Sequence, residues 1–303
     1  MEWEVALIEW LEGLGSFTKI IANIFTFIGG EYGLLLTVLI LMFCWKKEPG
    51  KRIALTVTAV NVFAPMIKAC AKRLRPYMEH PDRIKPGDVL ETKDNAMDVA
   101  VQGYSFPSTH SASAVSIYGS LAREVKKKPM WIISGAISLL VGLSRIALGM
   151  HYPTDVIAGW VLGVIGIAVL SLLFRIRKEW LRNLIILAAA LTGILFVRTE
   201  DYFTSLGLLI GLVIAMPFEE KYVKYKDTRY IPAMILRPLL SFVIYFVLNP
   251  LLKLPFSDGF LSDGSLLSFL VRTLRYAVIV FVITGVYPMA FPLFEKKEKK
   301  GGE

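Results

Sequence analysis

An arginine, a histidine and an aspartate fall in the stretch Ser144 to Asp155, Ser-Arg-Ile-Ala-Leu-Gly-Met-His-Tyr-Pro-Thr-Asp, between two segments apolar enough to cross a membrane. On insertion scales a charged side chain at the bilayer centre costs roughly 2.5 to 3.5 kcal/mol, so ionisable residues beside spans usually line a site. Proline is favoured at the first helical position, which predicts a helix from Pro153 with His151 just before it and Asp155 in its first turn. A carboxylate bonded to one ring nitrogen fixes the imidazole tautomer and makes the other nitrogen a better nucleophile or base. On this stretch alone, a capping aspartate and an interfacial histidine explain the same residues equally well.

Two further pieces carry matching chemistry. In Lys68-Ala-Cys-Ala-Lys-Arg-Leu-Arg75-Pro76, seven residues make nearly two helical turns, so Lys68 and Arg75 are expected on one face of a helix that Pro76 ends. Lys72 and Arg73 read as an interfacial cluster, whereas Lys68 sits about a turn inside an apolar segment. In Phe106-Pro-Ser-Thr-His110, Ser108 is an N-cap candidate, and a helix N-terminus offers free N–H groups and a positive dipole end to an anion. A capped helix with an interfacial histidine is the plainer alternative. Together, Lys68, Arg75, Arg145, a helix N-terminus and two histidines suit a phosphate dianion. One histidine backed by a carboxylate can attack phosphorus while the other protonates the leaving oxygen, and the fixed donors stabilise the charge. Phosphate monoester hydrolysis is among the slowest uncatalysed reactions, needing accelerations up to roughly 10²¹-fold, so several donors are expected to act together.

The elements that must position these residues are membrane helices. Hydrophobic residues make up 55% of the 303, mean hydropathy is +0.56, and apolar runs approaching 20 residues recur along the chain. An all-α, polytopic transmembrane bundle follows. Residues 1–16 read as an interfacial amphipathic helix, with Trp3, Leu7, Trp10 and Leu14 at helical spacing against glutamates. The run Phe17 to Trp45, interrupted by Gly29-Gly30-Glu31, is either one imperfect span or a half-helix before a span from Tyr32. Spans are then expected from Ile53 to Ala71 (kinked at Pro65), from Thr109 to before Arg123, Trp131 to Gly149, Thr154 to Phe174, 183–197, 202–217, 230–252 and 266–293, about nine in all. The chain divides into a core at 17–176, holding a long polar loop at 72–107, and an extension at 177–303 with four spans and a basic tail.

The net charge of +9 collects in short loops between apolar runs, where lysine and arginine orient a membrane protein rather than bind nucleic acid. If spans alternate, the basic loops and the tail at Lys296–Lys300 share the cytoplasmic side. The acidic N-terminus, loop 72–107 and the turn at His151 then lie outside, so the three chemical pieces meet at one extracytoplasmic face. Loop 72–107 is itself basic, a charge assigned to function. The opening Met-Glu-Trp-Glu is acidic where a signal peptide would be basic, so the mature chain is expected to start near Met1. Cys44 and Cys70 lie in apolar runs without CxxC or His-rich spacing, so neither a disulfide nor a metal centre is expected. His80 reads as a solvated loop histidine, and Arg237, Arg272 and Arg275 as snorkelling cations within the extension.

The motifs Lys68 with six residues to Arg75-Pro76, Pro107-Ser108-Thr109-His110, and Ser144-Arg145 with five residues to His151 and three to Asp155 resemble the three signatures of the type 2 phosphatidic acid phosphatase superfamily. The resemblance covers roughly residues 50–175. It implies a phosphatase with no metal and no other cofactor, in which His151 is the nucleophile oriented by Asp155 and His110 is the general acid that later activates water. Lys68, Arg75, Ser108 and Arg145, with backbone N–H groups near Thr109 and His110, would hold the phosphate oxygens. Thr109 replaces the glycine common in the second motif, and Pro-Ser-Thr-His is similar to the sphingosine-1-phosphate phosphatase branch. The family core usually has two spans before the first motif, where this chain has only the Phe17 to Trp45 run. The expectation is therefore a lipid phosphate phosphatase of the plasma membrane acting on sphingoid or lysolipid phosphate, phosphatidic acid or a polyprenyl (di)phosphate. Its partners would be lipids, and a homo-oligomer is compatible with the sequence. A lipid phosphotransferase using the same site and a phospholipid transporter or scramblase are the alternatives. The spans argue against the soluble vanadate haloperoxidases of the superfamily.

Overall fold

Apolar runs of this length must satisfy their backbone polar groups internally, and the chain does so with helices alone: a computed structural model describes residues 2–85, 87 and 96–295, and no strand occurs among them. Helix α1 (Glu2–Gly13) meets α2 (Ser16–Gly29) at a bend of 108°. Gly15 makes the turn at φ 90°, a region that glycine enters without Cβ strain. Trp3, Trp10 and Leu14 point outward from α1, while Glu4 is buried beside Val5 and Ile8. Glu4 is thus docked rather than solvated, while Glu2 stays exposed and Glu9 and Glu12 are partly so. The Phe17 to Trp45 run breaks at Gly30, which is extended (φ −85°, ψ 175°), into α2 and α3 (Glu31–Ile40, continued by a wider turn Leu41–Trp45).

The remaining long elements are α4 (Lys47–Ala71), α5 (Thr109–Ala114, a π turn Val115–Gly119 and Ser120–Val125), α6 (Lys128–Ala147), α7 (Pro153–Leu173), α8 (Glu179–Leu191), α9 (Glu200–Phe218), α10 (Ile231–Leu251) and α11 (Leu266–Phe281, running on to Leu293). Six of them, α4, α6, α7, α9, α10 and α11, are long and apolar enough to cross a membrane, or seven spans if the bent α1–α2 pair counts as one. The expected count of about nine is not reproduced at three places. The 17–45 run is split, the 183–197 run gives a 13-residue α8 and a short 3₁₀ turn, and α5 is too polar. The reason for α5 lies in its packing. Ser111, Ser113, Ser116 and Ser120 are all buried, so α5 threads the bundle interior, where small hydroxylic residues pack closely and return hydrogen bonds to backbone or Asn61.

Gly159 and Gly163 of α7 set the distance to α5: a Cβ at either would run into the carbonyl oxygen of Ser108 or Ala112. Glycine here lets the two helices approach until the start of α5 touches the first turn of α7. A continuous apolar core joins α3, α4, α9 and α11 through Leu39, Phe43, Leu55, Leu206, Leu209 and Ile279, so the C-terminal extension packs against the 17–176 half. At the end of α4 remote from Lys68, the buried Glu219 pairs with Lys47 at 2.8 Å and Lys51 at 2.9 Å. The extension's arginines do not snorkel freely. Arg237 is buried and bonds Glu295 at 2.5 Å and the Lys226 carbonyl at 3.1 Å, Arg275 bonds Asn249, and Arg272 pairs with Glu200 at 2.9 Å.

Candidate active site

The three chemical pieces converge, though not by the route the spacing suggests. Helix α4 ends at Ala71, and Lys72 turns the chain out in a left-handed conformation at φ 50°. Lys68 occupies the last turn of α4, buried. Arg75 therefore shares no helix with it. Pro76 does not end α4 but begins a short helix Pro76–Glu79, with Arg75 as its extended N-cap residue. From there the buried Arg75 guanidinium donates to the carbonyls of Gln102 (2.5 Å), Gly103 (3.2 Å) and Met150 (3.3 Å), tying loop 102–103 to the turn that carries His151.

Ser108 caps α5 as expected: its hydroxyl accepts from the Ser111 N–H at 3.4 Å and the Ser111 hydroxyl at 3.0 Å, and its own N–H donates to the Asp155 carbonyl at 2.9 Å. Thr109 and His110 follow in the first turn, half-buried. Arg145, in the last turn of α6, is buried and donates to Thr26 of α2 at 3.4 Å. Its carbonyl accepts the N–H groups of Met150 (3.0 Å) and His151 (3.2 Å), folding the α6–α7 turn back so that His151 and Asp155 are 1% and 0% exposed.

The His151–Asp155 pair is the principal difference from expectation. Nδ1 of His151 lies 3.8 Å from Oδ2 of Asp155, beyond hydrogen-bond reach. Between them stands the Ser105 hydroxyl, 3.3 Å from Nδ1 and 2.5 Å from Oδ2. A hydroxyl has one hydrogen, and at this separation it goes to the carboxylate. Ser105 Oγ is then left as acceptor for Nδ1–H, and the Nε2 lone pair is free. The carboxylate also accepts the Tyr152 N–H (2.8 Å) and Arg73 Nη1 (2.8 Å). Arg73, read as interfacial, instead braces the site: it also donates to the buried Glu4 (2.8 Å) and to Thr154 (2.6 Å) and stacks 3.9 Å over the Tyr152 ring. Glu4 in turn accepts the Thr154 N–H and hydroxyl, so α1 grips the start of α7. Ser105 and Glu4 carry no local sequence signal; only their distant partners give them a role.

Burial, reinforced by the positive charges of Arg75, Arg145 and Lys68 and least by His110, pushes the His151 imidazole well below its usual value. His151 is therefore neutral at pH 7, the state in which Nε2 can act as nucleophile or base. The lowered value means protonation is deferred to acid, so a ¹⁵N-histidine titration should show one ring still neutral below the ordinary value of about 6.5, absent from the spectrum of the His151→Ala protein. If the ring signal lost in the His151→Ala protein titrates at or above that value, the assignment fails.

Comparisons with known proteins extend the geometry. The family profile described as PAP2 superfamily matches residues 49–182 and contains every residue of the three motifs, and a second, described as PAP2 superfamily phosphatase, transmembrane extension, matches residues 203–299. The chain belongs to the PAP2 superfamily. Its α9 to α11 region, which carries none of the three motifs, is thus also matched within the superfamily. Among similar proteins, an undecaprenyl-diphosphatase of Sulfolobus acidocaldarius is 32% identical over 127 residues, 42% of this chain and 56% of the relative. Phosphatidylglycerophosphatase B of Bacillus subtilis is 37% identical over 93 residues, 28% of this chain and 42% of the relative. A lipid A 4'-phosphatase of Porphyromonas gingivalis is 27% identical over 157 residues, 48% of this chain and 63% of the relative. The chain thus spans about half the length of the curated relatives it matches. None of these three is a sphingoid phosphate phosphatase, so they lend no weight to the sphingosine-1-phosphate hint of Pro-Ser-Thr-His. No solved structure matches the chain.

Proposed function

We propose that this integral membrane protein is a lipid phosphate phosphatase working through a phosphohistidine on His151. The observation that carries the reading is the buried, neutral His151, held through Ser105 and Asp155 among Lys68, Arg75 and Arg145. In the first step Nε2 attacks phosphorus, the phosphorus–oxygen bond to the lipid breaks, and His110 gives the leaving oxygen a proton. In the second, water attacks the phosphorus of the N–P adduct, His110 takes the water proton, and phosphate leaves as the N–P bond breaks. The three cations and the N–H groups at the start of α5 stabilise the charge on the equatorial oxygens in both steps.

The substrate class is a lipid phosphomonoester or diphosphate. It draws support from the names of the relatives, which act on an undecaprenyl diphosphate, a phosphatidylglycerophosphate and a lipid A phosphate. The site sits at the end of α4 where Lys68 lies, and the basic residues Lys46, Lys47, Lys51 and Arg52 lie at the other end. By the positive-inside rule the site opens on the extracytoplasmic face of the plasma membrane and the chain ends in the cytoplasm. Detergent-purified protein in excess chelator should release inorganic phosphate from undecaprenyl diphosphate, phosphatidylglycerophosphate or phosphatidic acid, and the relative kcat/KM ranks them. No release from any of the three by folded protein would overturn the reading.

A further inference from the structure

The helices that build the catalytic cluster at one end build a second cationic cleft at the other. A cavity of 210 Å³ opens between α4, α5 and α7, lined by Arg52, Arg123 and Arg175 together with Glu124, Ser120 and Phe174. Arg52 lies sixteen residues before Lys68 on α4, about 24 Å along an α-helix, close to the thickness of a bilayer's hydrocarbon core. The cleft and the catalytic cluster therefore face opposite membrane surfaces.

Its charge is not balanced from within. Arg52 reaches Glu124 at 3.8 Å, while Arg123 and Arg175 make no ion pair among the described residues. Three arginines, from α4, from α5 and from the turn after α7, and one carboxylate leave the cleft net positive. Arg52, Arg123 and Arg175 are exposed, so solvent screens their mutual repulsion, but their convergence on one hollow concentrates positive potential where an anion can reach all three. The hydroxyl of Ser120 makes no hydrogen bond among the described residues and is available as a further donor, and Phe174 supplies an apolar wall. Planar guanidinium groups match phosphate oxygens bidentately.

We propose that this cleft binds the phosphate group of an anionic phospholipid in the leaflet opposite the catalytic site. Phosphate chemistry with a cleft at the membrane surface favours a lipid headgroup, whose chains run down the outer face of α7, over free phosphate. That outer face is apolar and exposed at Val164, Ile165, Val169 and Leu172.

The test measures binding, so it stands or falls separately from the phosphatase reading. Full-length protein in neutral detergent is titrated with phosphatidylglycerol, with phosphatidylcholine and with inorganic phosphate, and read by thermal shift and by native mass spectrometry. Phosphatidylglycerol should raise the melting temperature and remain bound where phosphatidylcholine does not. In the Arg123→Gln/Arg175→Gln protein its affinity should fall about tenfold or more. The charge-matched Lys126→Gln/Lys127→Gln protein should bind as wild type. Ser120→Asp, which places a carboxylate in the cleft and keeps all three arginines, should weaken binding similarly. Equal binding by wild type and the arginine variant, equal loss in the lysine variant, or a full effect from inorganic phosphate alone would each overturn the proposal.

Discussion

The His151→Ala protein should lose phosphate release by at least about 10⁴-fold in kcat/KM while keeping the affinity of the wild type for a phosphate-bearing lipid within severalfold. The two halves of that expectation come from different parts of the site. In the proposed site Lys68, Arg75 and Arg145 hold the phosphate from α4, from the N-cap of the short helix Pro76–Glu79 and from α6, and none of their side chains is hydrogen-bonded to the His151 imidazole among the described residues. Removing the imidazole leaves those cations and the start of α5 in place, so the anion still binds. What disappears is the neutral ring nitrogen that attacks phosphorus, and water entering the vacated space beside Ser105 is a weaker nucleophile with nothing to hold it in line with the leaving oxygen. Quenching in alkaline denaturant during turnover of a ³²P-labelled lipid separates this from general damage: wild type should yield a base-stable phosphoprotein that loses its label on later acid treatment and the variant none, at an unchanged melting temperature. A variant keeping more than about a hundredth of wild-type activity would mean that water attacks the lipid phosphate directly.

The chemistry of this site was more legible than its construction. Charged residues in or beside apolar runs stand out because the membrane penalises them, and that alone isolates Lys68, Arg145, His151 and Asp155. Helix signals were read well where they are local: Pro153 begins α7 and Ser108 caps α5. They failed where the backbone departs without an obvious residue to mark it. Lys72 occupies a left-handed position that favours glycine or asparagine, so the helix continuing to Arg75 was the natural and mistaken reading. Arg73, Glu4 and Ser105 were invisible for another reason. Each acts through a partner far along the chain, Glu4 being 69 residues from Arg73 and Ser105 50 from Asp155, and composition near any one of them says nothing of the other. The count of about nine spans is not confirmed: six or seven are long and apolar enough, and α5, expected as a span, falls outside them because apolarity measures contact with lipid, of which α5 has little. A helix lined with buried serines can run the length of the bundle without resembling a span.

The second large effect concerns Asp155, and the interposed Ser105 makes it more informative than a simple loss. Asp155→Asn should lower kcat by about 10³ to 10⁴-fold with KM nearly unchanged, by analogy with the loss when the carboxylate of a Ser-His-Asp triad becomes an amide. The amide cannot accept at both oxygen positions, so Ser105, the Tyr152 N–H or Arg73 loses its acceptor, and Arg73 keeps only Glu4 as a charged partner. Ser105→Ala removes only the link to Nδ1, leaving the carboxylate with Arg73 and the Tyr152 N–H, and should cost about 10 to 100-fold. If the carboxylate orients His151 through the serine, the two losses do not add: the double variant should be no slower than Asp155→Asn alone. Additive losses would mean that Asp155 serves the site through Arg73 and the α7 N-terminus, with His151 oriented by other means. Ser105→Thr, which keeps the hydroxyl, should recover much of the rate if the bridge is the reason for the serine, and a threonine variant as slow as alanine would count against it.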